Sequence, residues 1–183
     1  VDTLAVSGNF NATIGGAATV TSNNNVTVAS GSTVTLTAAD ADAMGNFTGA
    51  GNVAVTDLNA TAAADLSRIS VSGTKTANVA VSVTFTGDLG TGFTTSVDTG
   101  QTLQITAAKV NGQIINGDGT VNISDTSYTE NANLSNVSSN AINFNSATNS
   151  DLTISSGKTL SIKQGHLASI SSDNAGNDDI SGA

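Results

Sequence analysis

The feature that most constrains the fold of this 183-residue chain is a series of short runs in which apolar residues alternate with small or polar ones. A period of two is the pattern of a β-strand that buries one face. Such runs occur at Val26–Val28, Val34–Leu36, Val53–Val55, Val79–Phe85, Leu103–Ile105, Val121–Ile123, Ile142–Phe144, Leu152–Ile154 and Leu160–Ile162. The sequence therefore predicts an all-β chain of many short strands.

The segments between these runs are rich in Gly, Asn, Asp and Ser, which favour turns. Ser22–Asn25 and Asn116–Gly119 are examples. The chain has no proline, as expected where most residues donate a hydrogen bond to a neighbouring strand. Only Thr37–Met44 and Thr61–Ile69 have the character of a turn or two of helix.

The chain also contains an internal repeat. The segment Gly31–Ala39 recurs as Gly100–Ala108, and a shorter third copy lies at Gly157–Ile162. Further along the chain, Val53–Asp57 matches Val121–Asp125, so the order of the blocks is kept. A series of strands and turns repeated in order is typical of stacked units. We predict one repetitive β domain over residues 1–183, with repeat units near 31–99, 100–156 and 157–183.

Two architectures fit this pattern. One is a parallel β-solenoid, in which short strands joined by tight turns stack along an axis. The alternative is a set of tandem β-sandwich modules. The predicted strands are shorter than average, and aromatic residues, which sandwich cores normally use, make up only 3% of the chain. We therefore favour the solenoid, with about three coils in each long repeat.

Composition and charge exclude several classes of function. The net charge is −9 with only five basic residues, which argues against nucleic acid as a partner because phosphates are neutralised by Lys and Arg. The chain has no Cys and one His, so we expect no zinc finger, iron–sulfur cluster or disulfide framework. No apolar run is long enough to predict a membrane span.

The sequence contains no pattern of catalytic residues. Acid–base chemistry needs a base or a pair of carboxylates held close together, whereas the acidic residues here are scattered. His166 has no Ser or Asp at the spacing of a catalytic triad, and Glu130 is the only Glu. We predict that the chain is not an enzyme.

Calcium is the one cofactor that the sequence suggests. Ca²⁺ binds six to eight oxygen atoms from carboxylates, Asn side chains and backbone carbonyls in turns. Turns rich in these groups predict seven metal ligands, which are Asp40, Asp42, Asn116, Asp118, Asp173, Asp178 and Asp179. The alternative is that Asp and Asn serve turn geometry and solubility there.

Segments such as Val28–Ala39 and Gly49–Val55 resemble the β-strand-repeat segments of very large secreted bacterial surface proteins, which include adhesins and surface-layer proteins. The resemblance implies an acidic, cysteine-free, extracellular protein, often stabilised by calcium. The first residues contain no signal peptide, so we expect a mature secreted chain or a piece of a longer one. The expected function is a structural component of a surface layer, adhesin stalk or filament. Its expected partners are further copies, neighbouring domains or cell-surface glycans.

The alternative function is a module that binds glycans or ice through one face of the solenoid. Thr33, Thr35 and Thr37 lie on one face of a predicted strand. The matching strand of the second repeat carries Gln104 between Thr102 and Thr106. Gln104 breaks a regular threonine array, and Thr is common on exposed strand faces in any case.

Overall fold

The computed structural model describes residues 3–6, 11–14, 25–125, 127–128, 131–144, 152–154, 157–162 and 180–182. The strands are β1 (Thr3–Val6), β2 (Asn11–Ile14), β3 (Asn25–Val28), β4 (Thr33–Leu36), β5 (Phe47–Gly49), β6 (Asn52–Val55), β7 (Lys75–Val79), β8 (Val83–Thr84), β9 (Phe93–Val97), β10 (Thr102–Ile105), β11 (Ile114–Asn116), β12 (Thr120–Ile123), β13 (Ser127–Tyr128), β14 (Ala132–Leu134), β15 (Ala141–Phe144), β16 (Leu152–Ile154), β17 (Leu160–Ile162) and β18 (Ile180–Gly182). The helices are α1 (Ala38–Ala43), a 3₁₀ turn (Leu58–Ala60) and α2 (Ala107–Val110).

Every pair of hydrogen-bonded strands in the described residues is parallel. A strand pairs with another that begins about twenty residues later, as Thr102 pairs with Thr120 and Val53 with Lys75. The prediction of an all-β chain is confirmed, since strands predominate and helices are short.

The longest sheet has six strands in the order β11-β9-β7-β6-β4-β2. A four-stranded sheet has the order β15-β12-β10-β8, and a three-stranded sheet has the order β1-β3-β5. Two smaller sheets pair β13-β16-β18 and β14-β17. Apart from β6 and β7, which are neighbours in the six-stranded sheet, consecutive described strands belong to different sheets. The chain therefore moves from one sheet to another between most of its strands.

The core consists of the inward-facing residues of these sheets. Alternate positions of β4, β6, β10 and β12 are buried, as the sequence pattern predicts. The core residues are mostly Val, Leu, Ile and Ala, with three fully buried rings at Phe47, Phe85 and Phe93. Small and branched side chains suit strands that are joined by tight turns and stacked closely.

The copies of the sequence repeat lie in different sheets. The repeated motif forms β4 in the six-stranded sheet, β10 in the four-stranded sheet and β17 in the two-stranded sheet. The local structure is nevertheless repeated, because α1 and α2 directly follow β4 and β10. The backbone N–H of Ala38 donates to Asp57 (3.0 Å), and that of Ala107 donates to Asp125 (2.7 Å). Equivalent residues of the two long repeats therefore do not stack on one another.

The structure corrects three sequence predictions. Thr61–Ile69 is not helical, because its backbone pairs with neighbouring turns: Leu66 N–H donates to Asp88. The run Val79–Phe85 is not one strand, because a bend separates β7 from β8 and leaves Val81 57% exposed. Helix α2 was not predicted.

Two glycines allow the close approach of successive turns. Gly49 and Gly117 occupy equivalent places in the two long repeats and have φ values of 105° and 99°. A Cβ atom on Gly49 would overlap the carbonyl oxygen of Val28, and one on Gly117 would overlap that of Val97. Glycine is therefore required at both positions by backbone conformation and by lack of space.

We expect Gly117→Ala to lower the free energy of unfolding more than Gly112→Ala does. Both glycines have positive φ, but nothing lies within 4 Å of a Cβ built on Gly112. The control Gly112→Ala should lower the free energy of unfolding by about 1 kcal/mol because of backbone strain. Gly117→Ala should lower it by roughly 1–3 kcal/mol more because of the steric overlap. Urea denaturation of both variants measures the difference. Equal losses would contradict the packing described for Gly117.

Candidate functional site

The carboxylates of Asp40 and Asp42 bind donors of the protein itself. The Thr37 hydroxyl donates to Asp40 Oδ2 (2.7 Å), and the Asp40 backbone N–H donates to Thr37 Oγ1 (3.1 Å). This exchange caps the N-terminus of α1. Asp42 Oδ1 accepts the backbone N–H of Asp65 (2.8 Å). Both residues therefore fix the backbone around α1. This is the turn-geometry role that the sequence analysis gave as the alternative to calcium binding.

The other predicted calcium ligands are spread along the chain. Asn116 ends β11, and Asp118 is exposed in the turn that follows. Asp173, Asp178 and Asp179 lie outside the described residues, as do His166 and Glu130. Among the residues that the structure describes, no group of three His, Asp or Glu side chains is placed to hold a metal ion. The calcium site stays a prediction.

Polar side chains brace one turn against the next. Asn25, Asn52, Asn111 and Asn131 each use Oδ1 to accept a backbone N–H that lies more than twenty residues further along the chain, at 2.8–3.0 Å. Such bonds satisfy backbone N–H groups that lie within or directly before a strand. These four Asn residues thus stabilise the stacking of successive passes of the chain.

The carboxyl group of Asp65 has a lowered pKa. The hydroxyl and the backbone N–H of Ser67 donate to its carboxylate, the latter at 2.9 Å, and the nearby Arg68 guanidinium adds a smaller effect. Both bonds favour the charged form. The equivalent residue of the second repeat, Asn133, accepts the backbone N–H and hydroxyl of Ser135 at 3.0 and 2.7 Å. A neutral amide and a carboxylate therefore form the same turn.

The outward face of the six-stranded sheet has small, uncharged side chains at its centre. The strand register stacks Thr35, Ala54, Thr76, Thr94 and Ile114 in one row across β4, β6, β7, β9 and β11. Neighbouring strands lie about 4.8 Å apart, so the row is closely spaced. We call this surface the threonine face, and define it by this row together with a parallel row that contains Asn78, Ser96 and Asn116.

A shallow groove of about 470 Å³ runs along the threonine face. Ala54 contributes a methyl group where its neighbours in the row contribute Thr side chains, so the floor is lowest there. None of the nine lining residues is charged; they are Ala54, Val55, Thr56, Thr76, Ala77, Asn78, Thr94, Ser96 and Asn116. The groove thus combines an apolar floor with hydroxyl and amide groups.

The sequence did not predict the threonine face, because the comparison was made between residues that correspond in the repeat and not between residues that stack. Thr35 and Gln104 correspond in the repeat, but they lie in different sheets and do not stack. The neighbours of Thr35 in the row are set by the shorter interval between paired strands. That interval appears in the sequence between particular apolar runs, such as Val34–Leu36 and Val53–Val55, and it could have identified the pairing of Thr35 with Ala54.

We expect acidification to destabilise the protein through Asp65. Its pKa is lowered in the folded chain, so its contribution is complete above the pKa of the unfolded chain and is lost as the pH falls through the folded pKa. Asp65→Asn should reduce the loss of stability between about pH 6 and about pH 3, and the reciprocal Asn133→Asp should increase it. Urea midpoints at both pH values measure this. Unchanged pH dependence in both variants would contradict the assignment.

The comparisons with known proteins identify no relative of this chain. No family model, curated protein or solved structure matches it. In the described part of the chain, no helix has the length and apolar character needed to cross a membrane.

Proposed function

We propose that this chain is a parallel β-solenoid that forms a structural segment of a secreted bacterial assembly, such as a surface layer, an adhesin stalk or a filament. The observation that carries the proposal is the uninterrupted parallel pairing of six strands in the longest sheet. Each of these strands comes from a successive pass of the chain, separated from the next by about twenty residues.

The parallel pairing favours the solenoid over the tandem sandwiches. Immunoglobulin-like sandwiches are built from antiparallel sheets, whereas every described strand pair here is parallel. A chain that leaves one sheet, enters the next and returns to the first at a fixed interval generates stacked coils. The six-stranded and four-stranded sheets would form two sides of such a stack.

The bracing between turns supports a mechanical role. Each coil is connected to its neighbours along the axis by backbone hydrogen bonds between strands. Asn side chains add further hydrogen bonds between coils. In such a stack, pulling along the axis loads many hydrogen bonds together. The fold therefore suits a segment that carries force or holds spacing.

The extracellular location rests on composition and on the resemblance described above. The chain is acidic, with a net charge of −9, and has no Cys. It needs no disulfide, because its stability comes from stacked strands. Low charge density, at 10% of residues, reduces repulsion between copies packed at high local concentration.

Electron microscopy of the purified protein tests the structural role. We expect ordered fibres or sheets at high protein concentration, because solenoid coils can stack end to end or side to side. Sedimentation measures the accompanying association. Monodisperse particles in micrographs, together with a concentration-independent monomer in sedimentation with and without Ca²⁺, would contradict self-assembly.

Calcium binding makes a separate prediction. If Asp118, Asn116 and the acidic residues Asp173, Asp178 and Asp179 hold Ca²⁺, millimolar Ca²⁺ should raise the melting temperature, because a ligand that binds only the folded chain stabilises it. Mg²⁺ at the same concentration is the control, since it binds all-protein oxygen cages poorly. If neither a chelator nor Ca²⁺ changes the melting temperature, calcium binding is contradicted.

A further inference from the structure

The groove on the threonine face is a surface without a function in the structural role proposed above. Most of its residues lie in β6, β7 and β9, which are paired on both sides, and the edge strand β11 is bridged on its outer side through Ile115 and Val137. Strand addition therefore does not use the groove. Its outward side chains are half-buried or exposed. They do not pack in the core.

Three hydroxyl groups of this groove are free to bind a ligand. In the described part of the chain, the side chains of Thr76, Thr94 and Ser96 have no hydrogen-bond partner. Two other lining side chains are already bonded, because Thr56 Oγ1 donates to the Leu36 carbonyl oxygen and Asn78 Nδ2 donates to Asp98 Oδ2, both at 3.4 Å. The hydroxyl groups available to a ligand are therefore those of Thr76, Thr94 and Ser96.

The charge of the groove limits what it can bind. The lining residues have no formal charge, although the whole chain carries −9. A polyanion finds no cationic side chain in the lining, and the Asp98 carboxylate, which accepts from Asn78 Nδ2 at 3.4 Å, disfavours anions further. The ligand that fits is neutral, with apolar patches for the methyl groups of Ala54 and Thr76 and hydroxyl groups for the threonine and serine oxygens. Neutral sugar rings have this combination of C–H faces and hydroxyl rims.

The shape of the row distinguishes a sugar from ice. Ice presents a regular lattice, whereas the row of threonines is interrupted by Ala54 within it and by Ile114 at its end. The interruption at Ala54 deepens the groove and gives a ring space to approach the sheet. We propose that the groove of the threonine face binds a neutral polysaccharide chain, with the Thr76 and Thr94 hydroxyls as hydrogen-bonding groups and Ala54 as its floor.

Affinity electrophoresis in native gels tests this proposal on the whole chain. The probes are dextran, starch, xylan, galactomannan and a β-1,3-glucan, each dissolved in the gel, with alginate as the anionic comparison. We expect at least one neutral polysaccharide to retard the protein and alginate to leave its mobility unchanged. Failure of all five neutral probes to retard the protein, or retardation by alginate alone, would overturn the proposal.

The double variant Thr76→Val with Thr94→Val removes both hydroxyls and keeps branched side chains that favour strands. We expect it to weaken retardation roughly tenfold, as the loss of two neutral hydrogen bonds implies. Thr120→Val, on the outward side of β12, is the matched control and should bind like the parent chain. Ala54→Trp should abolish binding by filling the groove. Circular dichroism and urea midpoints establish that each variant is folded.

Three further results would overturn the proposal. Equal weakening by Thr120→Val would show that the groove is not the binding site. Inhibition of ice recrystallisation that the double variant loses, without retardation by any polysaccharide, would assign the face to ice. Self-association that Ala54→Trp abolishes, again without retardation, would assign the face to a second copy. The first two outcomes are independent of whether the protein forms fibres or sheets, whereas the third is read from the same sedimentation experiment that tests self-assembly.

Discussion

The parallel backbone ladder is the constraint on which the rest of the structure depends. Each pass of the chain must bring its N–H and C=O groups opposite those of the previous pass, in register, at a fixed separation. Inward positions are therefore occupied mostly by Val, Leu, Ile and Ala, although buried Phe residues and Thr95 also occur there. Turns absorb differences in length, and where two turns approach closely, as at Gly49 and Gly117, only glycine leaves room for the carbonyl oxygen beneath.

The sequence repeat and the ladder have different periods, and this mismatch determines the surface. Strands pair with partners about twenty residues away, whereas the first two copies of the repeat begin 69 residues apart, at Gly31 and Gly100, which is more than three such intervals. These two copies consequently form β4 and β10 in different sheets, and the shorter third copy forms β17 in another. A residue pattern that recurs along the chain is thereby distributed around the molecule. Rows on one face, such as the threonine face, combine residues from non-equivalent parts of the repeat.

Sequence alone was sufficient for strands with strong alternation. Val34–Leu36, Leu103–Ile105 and Val121–Ile123 all lie in strands, because one buried face imposes the pattern directly. Corners were not predictable: Val79–Phe85 alternates without a break, yet Val81 lies at a bend between two sheets. Thr61–Ile69 favours a helix locally, but pairing with neighbouring turns overrides that preference. The threonine face was missed because stacking partners are set by the ladder and not by similarity between repeats.

The central claim is that strands about twenty residues apart stack in parallel. Inter-strand nuclear Overhauser effects in the folded protein test this claim most directly. Parallel stacking predicts backbone contacts that join Thr35 to Ala54 and Ala54 to Thr76. It also predicts their absence between Thr35 and Gln104, which correspond in the repeat but belong to different sheets. Close contacts between Hα atoms of antiparallel strands, or contacts that join equivalent residues of the two repeats, would contradict the stacked-coil architecture.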